Sequence, residues 1–443
     1  MNAIGHKKKC NSFVGMQKNI LVLGSGGREH VFAWKLSQNV NVQVFVAPGN
    51  AGTAQVARNV SLDPNDFESV SKFCLSENID TVIPGSEDPL VNGIVDYFEK
   101  PELAHIYVFG PSKEGARLEG SKEYAKKFMA RHDVPTAKYE SFTGEQVQEA
   151  KNFLRTMNAP YVLKADGLAA GKGVLICSNL EEADENLEAM LLDKKFGEAS
   201  SKVVVEEFLD GIEFSVFAMT DGVSHIILPM AKDYKRIGEG DTGLNTGGMG
   251  AVSPVPFLDN DFMDKVTTKV VNPTMKGLID DGLHYKGFVF FGLIKVGEEP
   301  YVIEYNVRMG DPETEVVLPR LQSDLVNLID LSSNKRLSEG NAKIDPRFST
   351  TVMSVSGGYP EAYEKGMKIT IGEPENGINF HAGTKEVQGE IVTNGGRVIA
   401  STAFGETLAE ALKNSYKNVE NISFENRYYR TDIGQDLLRL ENK

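Results

Sequence analysis

Cysteine is scarce in this 443-residue chain: only Cys10, Cys74 and Cys177 occur, widely separated and without a C-x-x-C pair. That spacing excludes a disulfide framework and a thiolate zinc site, and it fits a reducing compartment. Long apolar runs are missing too. The longest, such as Ile20 to Leu23 and Phe288 to Leu293, fall far short of the roughly 20 residues that cross a bilayer. Positive charge is in deficit, with 47 Lys+Arg against 62 Asp+Glu and a net charge of −15. A dedicated binder of nucleic acid or of anionic membranes needs a basic face, so neither class fits, while local basic pockets for small anions stay open. The seven histidines show no metal-ligand spacing, and His30 and His381 read as structural groups. Repeats of fixed period and low-complexity tracts are absent as well. The expectation is a cytoplasmic protein that handles small molecules.

The chain is 41% hydrophobic and 25% charged, ordinary globular usage that excludes a disordered tail protein. At roughly 100–200 residues per domain the length suggests two to four domains. Residues 1–18 carry Lys7, Lys8 and Lys9 but neither an apolar signal core nor the arginines of a transit peptide. They read as a disordered extension, with Met16 as an alternative start.

From residue 19 onward strand and helix patterns alternate, which predicts parallel α/β layers. Strands are expected at 19–23, 42–46, 81–84 and 106–109, with helices at 28–37, 66–77 and 88–98. This is a doubly wound N-terminal domain, residues 19–121. A two-lobed mixed α+β core is expected over 122–345, its smaller lid lobe at about 136–209. Strands with Gly-Gly turns and one helix near 406–419 predict a small, mostly β C-terminal domain at 346–443.

Two glycine loops fall at carboxyl ends of N-terminal strands: Gly24-Ser25-Gly26-Gly27 and Pro48-Gly49-Asn50-Ala51-Gly52-Thr53. Backbone N–H groups and a helix N-terminus there can meet an anion. A glycine turn needed only for tight packing is the plainer alternative. A dinucleotide fingerprint is incomplete, because Glu29 stands at the third glycine position. Gly167-Leu168-Ala169-Ala170-Gly171-Lys172-Gly173 is one residue short of a P-loop and lacks its hydroxyl. Close flanking strands make it a hairpin cover able to fold over a triphosphate, and Lys164, at the end of an apolar strand, would point at the covered anion. Glu206-Glu207-Phe208-Leu209 ends a β-branched run whose edge can meet an adenine, with Glu213 reaching a ribose. The stretch from Asp241 to Gly250 reads as a substrate loop or a flexible connector.

The segment from Val302 to Glu313 is the most informative. On a strand, Glu304, Asn306 and Arg308 share one face. Magnesium prefers such hard oxygen donors, and Arg308 can pair an anionic substrate. Gly310-Asp311-Pro312-Glu313 follows at once and brings more acids to the same rim.

These motifs, in this order, resemble the phosphoribosylamine–glycine ligase family. Its match runs over roughly residues 19–435, including Gly24 to His30, Pro48 to Thr53, Lys164 to Gly173, Asn245 to Gly250, Arg308 to Glu313, His381 to Thr384 and Thr393 to Val398. The resemblance implies an ATP-grasp fold and an enzyme of purine biosynthesis acting on ATP, glycine and phosphoribosylamine with Mg2+ or Mn2+. Other enzymes of the pathway are its implied protein partners. It assigns Lys122, Lys164, Gly171, Lys172 and Gly173 to ATP phosphates, Glu206, Glu207, Phe208 and Leu209 to adenine, and Glu213 to ribose. Glu304 and Asn306 become the metal ligands. Gly26, Gly27, Asn50, Gly52, Thr246, Gly247, Gly248, Met249, Gly250, Gly310 and Asp311 become phosphoribosylamine contacts. Lys164, Asp233 and Arg308 become the catalytic set, the last two orienting glycine. Leu244 in place of proline, Val307 and Met309 in place of Cys and Phe, and Pro84-Gly85-Ser86-Glu87 in place of Gly-Pro-Glu depart from the family pattern without removing a charged group. The rival readings are an ATP-grasp ligase for another acid or amine, a non-catalytic nucleotide-binding protein and an NAD-dependent oxidoreductase.

Overall fold

The protein is described by a computed structural model covering residues 17–168 and 173–441. Residues 1–16 of the expected extension 1–18, and the predicted ATP contacts Gly171 and Lys172, lie outside the described residues, while Lys18 already belongs to the first strand. Five parallel strands open the chain: β1 (Lys18–Gly24), β2 (Val42–Pro48), β3 (Arg58–Asn59), β4 (Thr81–Pro84) and β5 (Tyr107–Val108). Their order is β3-β2-β1-β4-β5. Ile20, Leu21, Val22 and Leu23 are all 0% exposed, the unbroken apolar run of a parallel strand covered on both faces. Strand order reverses between β1 and β4, so the Gly24 loop and the Gly85–Glu87 turn meet at the crevice such sheets use for ligands. The expected helix 88–98 is two helices, Glu87–Asn92 and Ile94–Phe98, broken at Gly93. Its φ of 92° is a left-handed conformation that glycine adopts without steric cost.

A second, antiparallel sheet contains β6 (Tyr139–Thr143), β7 (Tyr161–Ala165), β8 (Val174–Cys177) and β9 (Lys202–Glu207), in the order β6-β9-β7-β8. Two helices, Val147–Leu154 and Leu180–Leu191, pack on it and enclose a core of its own around Phe142, Leu163, Leu187 and Val205. This lobe can therefore move as a unit. β7 and β8 form the expected hairpin, Lys164 opposite Val174, with the Ala165 N–H donating to the Gly173 carbonyl at 2.8 Å.

Next come β10 (Ile212–Thr220), β11 (His225–Asp233), the hairpin β12 (Arg236–Gly238) and β13 (Thr242–Asn245), β14 (Gly250–Ser253), β15 (Gly287–Val296), β16 (Glu299–Asn306) and β17 (Phe348–Val355). One eight-stranded sheet runs β16-β15-β10-β11-β14-β17 and continues into Arg397–Gly405 and Gly377–His381. The expected domain boundary at 345/346 is thus bridged by a ladder in which Gly250 to Ser253 pair with Ser349 to Val352. Pairing there satisfies two strand edges that would otherwise be left open.

One register feature shapes the site. Gly292 of β15 faces Glu304, but Leu293 faces Val302, so Ile303 is an extra residue that bulges. β16 also ends at Asn306, which corrects the expectation that Arg308 shares the strand. Arg308 lies beyond the strand end and is aimed by side-chain bonds instead.

Candidate active site

A cavity of about 840 Å3 lies where the small lobe, the eight-stranded sheet and the crevice of the N-terminal domain meet. On the sheet side β16 presents Glu304 and Asn306 to it. Among the described residues neither side chain makes a hydrogen bond or ion pair, so a carboxylate and an amide oxygen stay available. That donor set suits a hard divalent cation, which takes one or two protein oxygens and completes its shell with waters and phosphate oxygens.

Lysines from two elements face this pair. Lys164 of β7 and Lys126 of the helix Lys122–Arg131 both bind Glu206 Oε2, at 3.0 and 2.9 Å. Glu206 is 3% exposed, and among the described residues its Oε1 has no hydrogen-bond partner. Burial alone would raise its pKa, but the two ammonium groups outweigh that and hold it below the usual range. Burial pulls Lys126 down to about 8, and it lowers Lys122, whose Nζ donates to the Gly167 carbonyl at 3.1 Å. Lys126 escaped the sequence reading, although a signal existed. Lysines at 122 and 126 share a helix face, and like charges four apart repel unless a carboxylate sits between them or nearby.

The last residue of β11, Asp233, and Lys235 just past it also line the cavity, Lys235 standing 3.0 Å from Glu213 Oε2. Burial raises the Asp233 carboxyl, and burial together with Asp233 pushes Glu313 up to about 7. Arg308 is braced from two helices of the N-terminal region, Nε on Glu87 at 3.2 Å and Nη2 on Glu119 at 2.7 Å. Nη1 donates to the Met309 carbonyl at 3.3 Å. A guanidinium has five N–H donors, so two remain for a substrate carboxylate. Against burial, Arg308 and Arg28 hold Glu87 down at about 2. Arg28, Glu87, Glu119 and Arg397, all on the cavity wall, were given no role from sequence, because what brings each to the cavity is a partner remote in the chain, Met309 for Arg28, Arg308 for Glu87 and Glu119, and Gly247 and Asp311 for Arg397.

Of the residues singled out from sequence, Lys122, Lys164, Gly173, Glu206, Glu213, Asp233, Thr246, Gly247, Glu304, Asn306, Arg308, Gly310 and Asp311 line one cavity. Glu207, Phe208 and Leu209 lie outside its wall, and Glu207 instead accepts from the Lys138 N–H at 2.7 Å.

Several predicted phosphoribosylamine contacts do not line the cavity. The Asn50 side chain donates to the Ser25 and His381 carbonyls at 2.9 and 2.8 Å and accepts from the Gly52 and Thr53 N–H groups at 2.8 and 2.9 Å. Its polar capacity is used in clasping the loop. Gly52 is a glycine because a Cβ would stand 2.4 Å from the His30 ring. Gly26 donates its N–H to Glu29 Oε2 at 2.5 Å, so the loop's amide already has an internal anion. A Cβ at Gly27 would stand 2.3 Å from Glu315 Oε1, a fully buried carboxylate without hydrogen bonds whose pKa burial raises well above the usual range. Met249 is 0% exposed, Gly250 belongs to β14, and Gly248 packs on Pro312.

A lobe with its own core, a glycine-tipped hairpin, opposed lysines and a free carboxylate–amide pair on the facing sheet define an ATP-grasp enzyme. Three family models agree in chain order: Phosphoribosylglycinamide synthetase N domain over residues 18–119, its ATP-grasp (A) domain over 120–314 and its C domain over 349–436. The chain belongs to the phosphoribosylglycinamide synthetase family, also called phosphoribosylamine–glycine ligases. A phosphoribosylamine–glycine ligase of Vibrio vulnificus (strain CMCP6) is 46% identical over 435 residues, covering 96% of this chain and 100% of that protein. A bifunctional purine biosynthetic protein of Pichia angusta is 48% identical over 424 residues, 94% of this chain but 53% of its own length, so the chain spans about half of that relative. The crystal structure of phosphoribosylamine–glycine ligase from Thermotoga maritima superposes with a TM-score of 0.82 at 36% identity, covering 94% of this chain and 99% of that one. Among the described residues no helix is long and apolar enough to cross a membrane.

Proposed function

We propose that the chain ligates glycine to phosphoribosylamine at the cost of ATP, giving glycinamide ribonucleotide, ADP and phosphate for purine biosynthesis. The observation that carries this reading is the unpartnered Glu304 and Asn306 facing Lys122 and Lys164 in the cavity that also holds the braced Arg308. A carboxylate is a poor acyl donor. Its oxygen attacks the γ-phosphorus of ATP, ADP leaves, and glycyl phosphate forms. The amine of phosphoribosylamine then attacks the acyl carbon, loses a proton, and phosphate departs.

Each step brings anions together, so preorganised positive charge lowers the barrier. Lys122 and Lys164 neutralise the transferring phosphates, the strand end from Glu206 to Leu209, of which Glu206 lines the cavity, receives adenine, and Glu213 the ribose. The free donors of Arg308 orient the glycine carboxylate, with Asp233 toward its amino group. Glu304 and Asn306 would hold a divalent cation, Mg2+ or Mn2+, which supplies charge to the phosphate oxygens. Acyl phosphate and phosphoribosylamine are both lost to water, so the small lobe closes before chemistry. The test is ADP release with glycine, freshly generated phosphoribosylamine and Mg2+, omitting each in turn, with the product identified by mass. ADP and glycinamide ribonucleotide appearing together only in the complete mixture support the reading. ATP binding without amide formation from folded protein overturns it.

A further inference from the structure

The loop 246–250 borders the cavity at Thr246 and Gly247, and both backbone polar groups of Gly247 are held from the C-terminal domain. Its N–H donates to the Tyr359 hydroxyl at 2.9 Å, and its carbonyl accepts from Arg397 Nη1 at 2.6 Å. The same Nη1 donates to the Asp311 carbonyl at 2.7 Å and lies 3.0 Å from Asp311 Oδ1. One guanidinium therefore ties together the two segments that form this side of the cavity. Glycines let both side chains approach. A Cβ on Gly247 would stand 2.9 Å from Arg397 Cζ, and one on Gly396 would stand 2.1 Å from the Tyr359 ring.

The stretch just before the loop hangs on the same domain. Tyr428 donates its hydroxyl to the Ile237 carbonyl at 3.0 Å, Arg430 binds Asp241 at 2.8 Å, and the Gly240 N–H donates to Asp432 at 2.7 Å. Toward the core, Thr246 donates its N–H and its hydroxyl to the Lys235 carbonyl, the Met249 N–H donates to the Tyr234 carbonyl, and the Met249 and Gly250 carbonyls accept from the Met353 and Tyr234 N–H groups, so Gly247 is the loop residue whose backbone is held from the C-terminal side chains. Tyr359 does not line the cavity, so its hydroxyl acts on the loop and not on a ligand.

We propose that Tyr359 is a positioning residue for phosphoribosylamine: with Arg397 it fixes Gly247 and Asp311, making the C-terminal domain a determinant of affinity for the amine substrate alone. This rests on the reading of the cavity given above. Tyr359→Phe removes one hydroxyl and keeps the ring on Gly396. Loss of one hydrogen bond to a loop amide is expected to raise the KM for phosphoribosylamine roughly five- to tenfold. The KM values for ATP and glycine, kcat and the thermal midpoint stay within error, a split that a general structural defect does not produce. Hydrogen exchange followed by mass spectrometry is expected to quicken in the peptide spanning 246–250 and not in the lid lobe. An unchanged KM for phosphoribosylamine in an enzyme that makes the amide product overturns the proposal while leaving the ligase reading intact. Equal rises in all three KM values with a lowered midpoint overturn it in favour of a merely structural role. If the parent enzyme makes no amide, the ligase reading falls and the substrate assignment of Tyr359 with it. Unchanged exchange at 246–250 overturns the clamp itself.

Discussion

Asn50 and Glu29 in the N-terminal glycine loops, and Glu304 and Asn306 on β16, are the same kinds of side chain in opposite states. The Asn50 side chain bonds five backbone groups, and Glu29 takes the Gly26 N–H at 2.5 Å and the Arg28 Nε at 2.8 Å. Glu304 and Asn306 face the cavity with no such partners among the described residues. A side chain whose hydrogen bonds are complete stabilises a loop and offers nothing to a ligand. One that is left open at a cavity wall lowers stability locally and waits for a partner that arrives from solution. Glycines sort the same way. Gly24, Gly26 and Gly85 all crowd Glu29, with Cβ positions within 2.9 Å of it or less, so they serve packing, whereas Gly173 and Gly247 border the cavity.

The comparison is broken most directly at the open pair. Glu304→Ala is expected to lower kcat by roughly 10²–10³-fold while leaving the unfolding midpoint unchanged, read by ADP release beside a thermal scan. A loss of both together would move Glu304 into the structural class. Asn50→Ala should do the reverse. It strands several buried backbone groups and costs about 3 kcal/mol in urea-induced unfolding, with KM values for ATP and glycine kept in the folded fraction. Gly85→Ala places a methyl 2.1 Å from Glu29 Oε1, and its displacement is expected to cost about 1–3 kcal/mol, measured the same way.

The effect smallest at neutral pH concerns the clasp beneath Asn50. Burial depresses His30 from 6.5 to about 3 and His381 from 6.5 to about 4, and the His381 N–H donates to His30 Nδ1 at 2.8 Å. Both rings fold neutral. Below pH 6.5 the unfolded chain binds protons that the folded chain refuses, so stability is full above 6.5 and falls as the pH drops toward 3. His30→Gln is expected to flatten that acid limb in denaturation curves taken from pH 7 to pH 4. An unaltered slope would show that His30 is not held neutral.

Much of this was legible in the chain. Strand and helix periods placed β4 to the residue, because a buried parallel strand announces itself in four local residues. Lys164, Glu304 and Asn306 reached the cavity because strand alternation and flanking loops dictate which way they face. The side chains of the Gly24 and Asn50 loops bond largely within the chain, an outcome hidden from the sequence because an anion-binding turn and a self-capped turn use the same residues, and Glu29's return to Gly26 is what marks the second. Arg308 was expected on a strand face and is instead aimed by Glu87 and Glu119, which lie 221 and 189 residues away. Nothing in a local window encodes such partners.

By itself, then, the sequence determined the layers, the lobe with a glycine-tipped hairpin and the kind of chemistry, since propensity, periodicity and side-chain type act over a few residues. Tertiary structure alone decided which polar groups are satisfied and which stay open, where the sheet crosses a domain boundary, and which C-terminal side chains hold the substrate loop. Those outcomes depend on closure of distant segments, where burial turns an unmet hydrogen bond from a trivial cost in water into a decisive one.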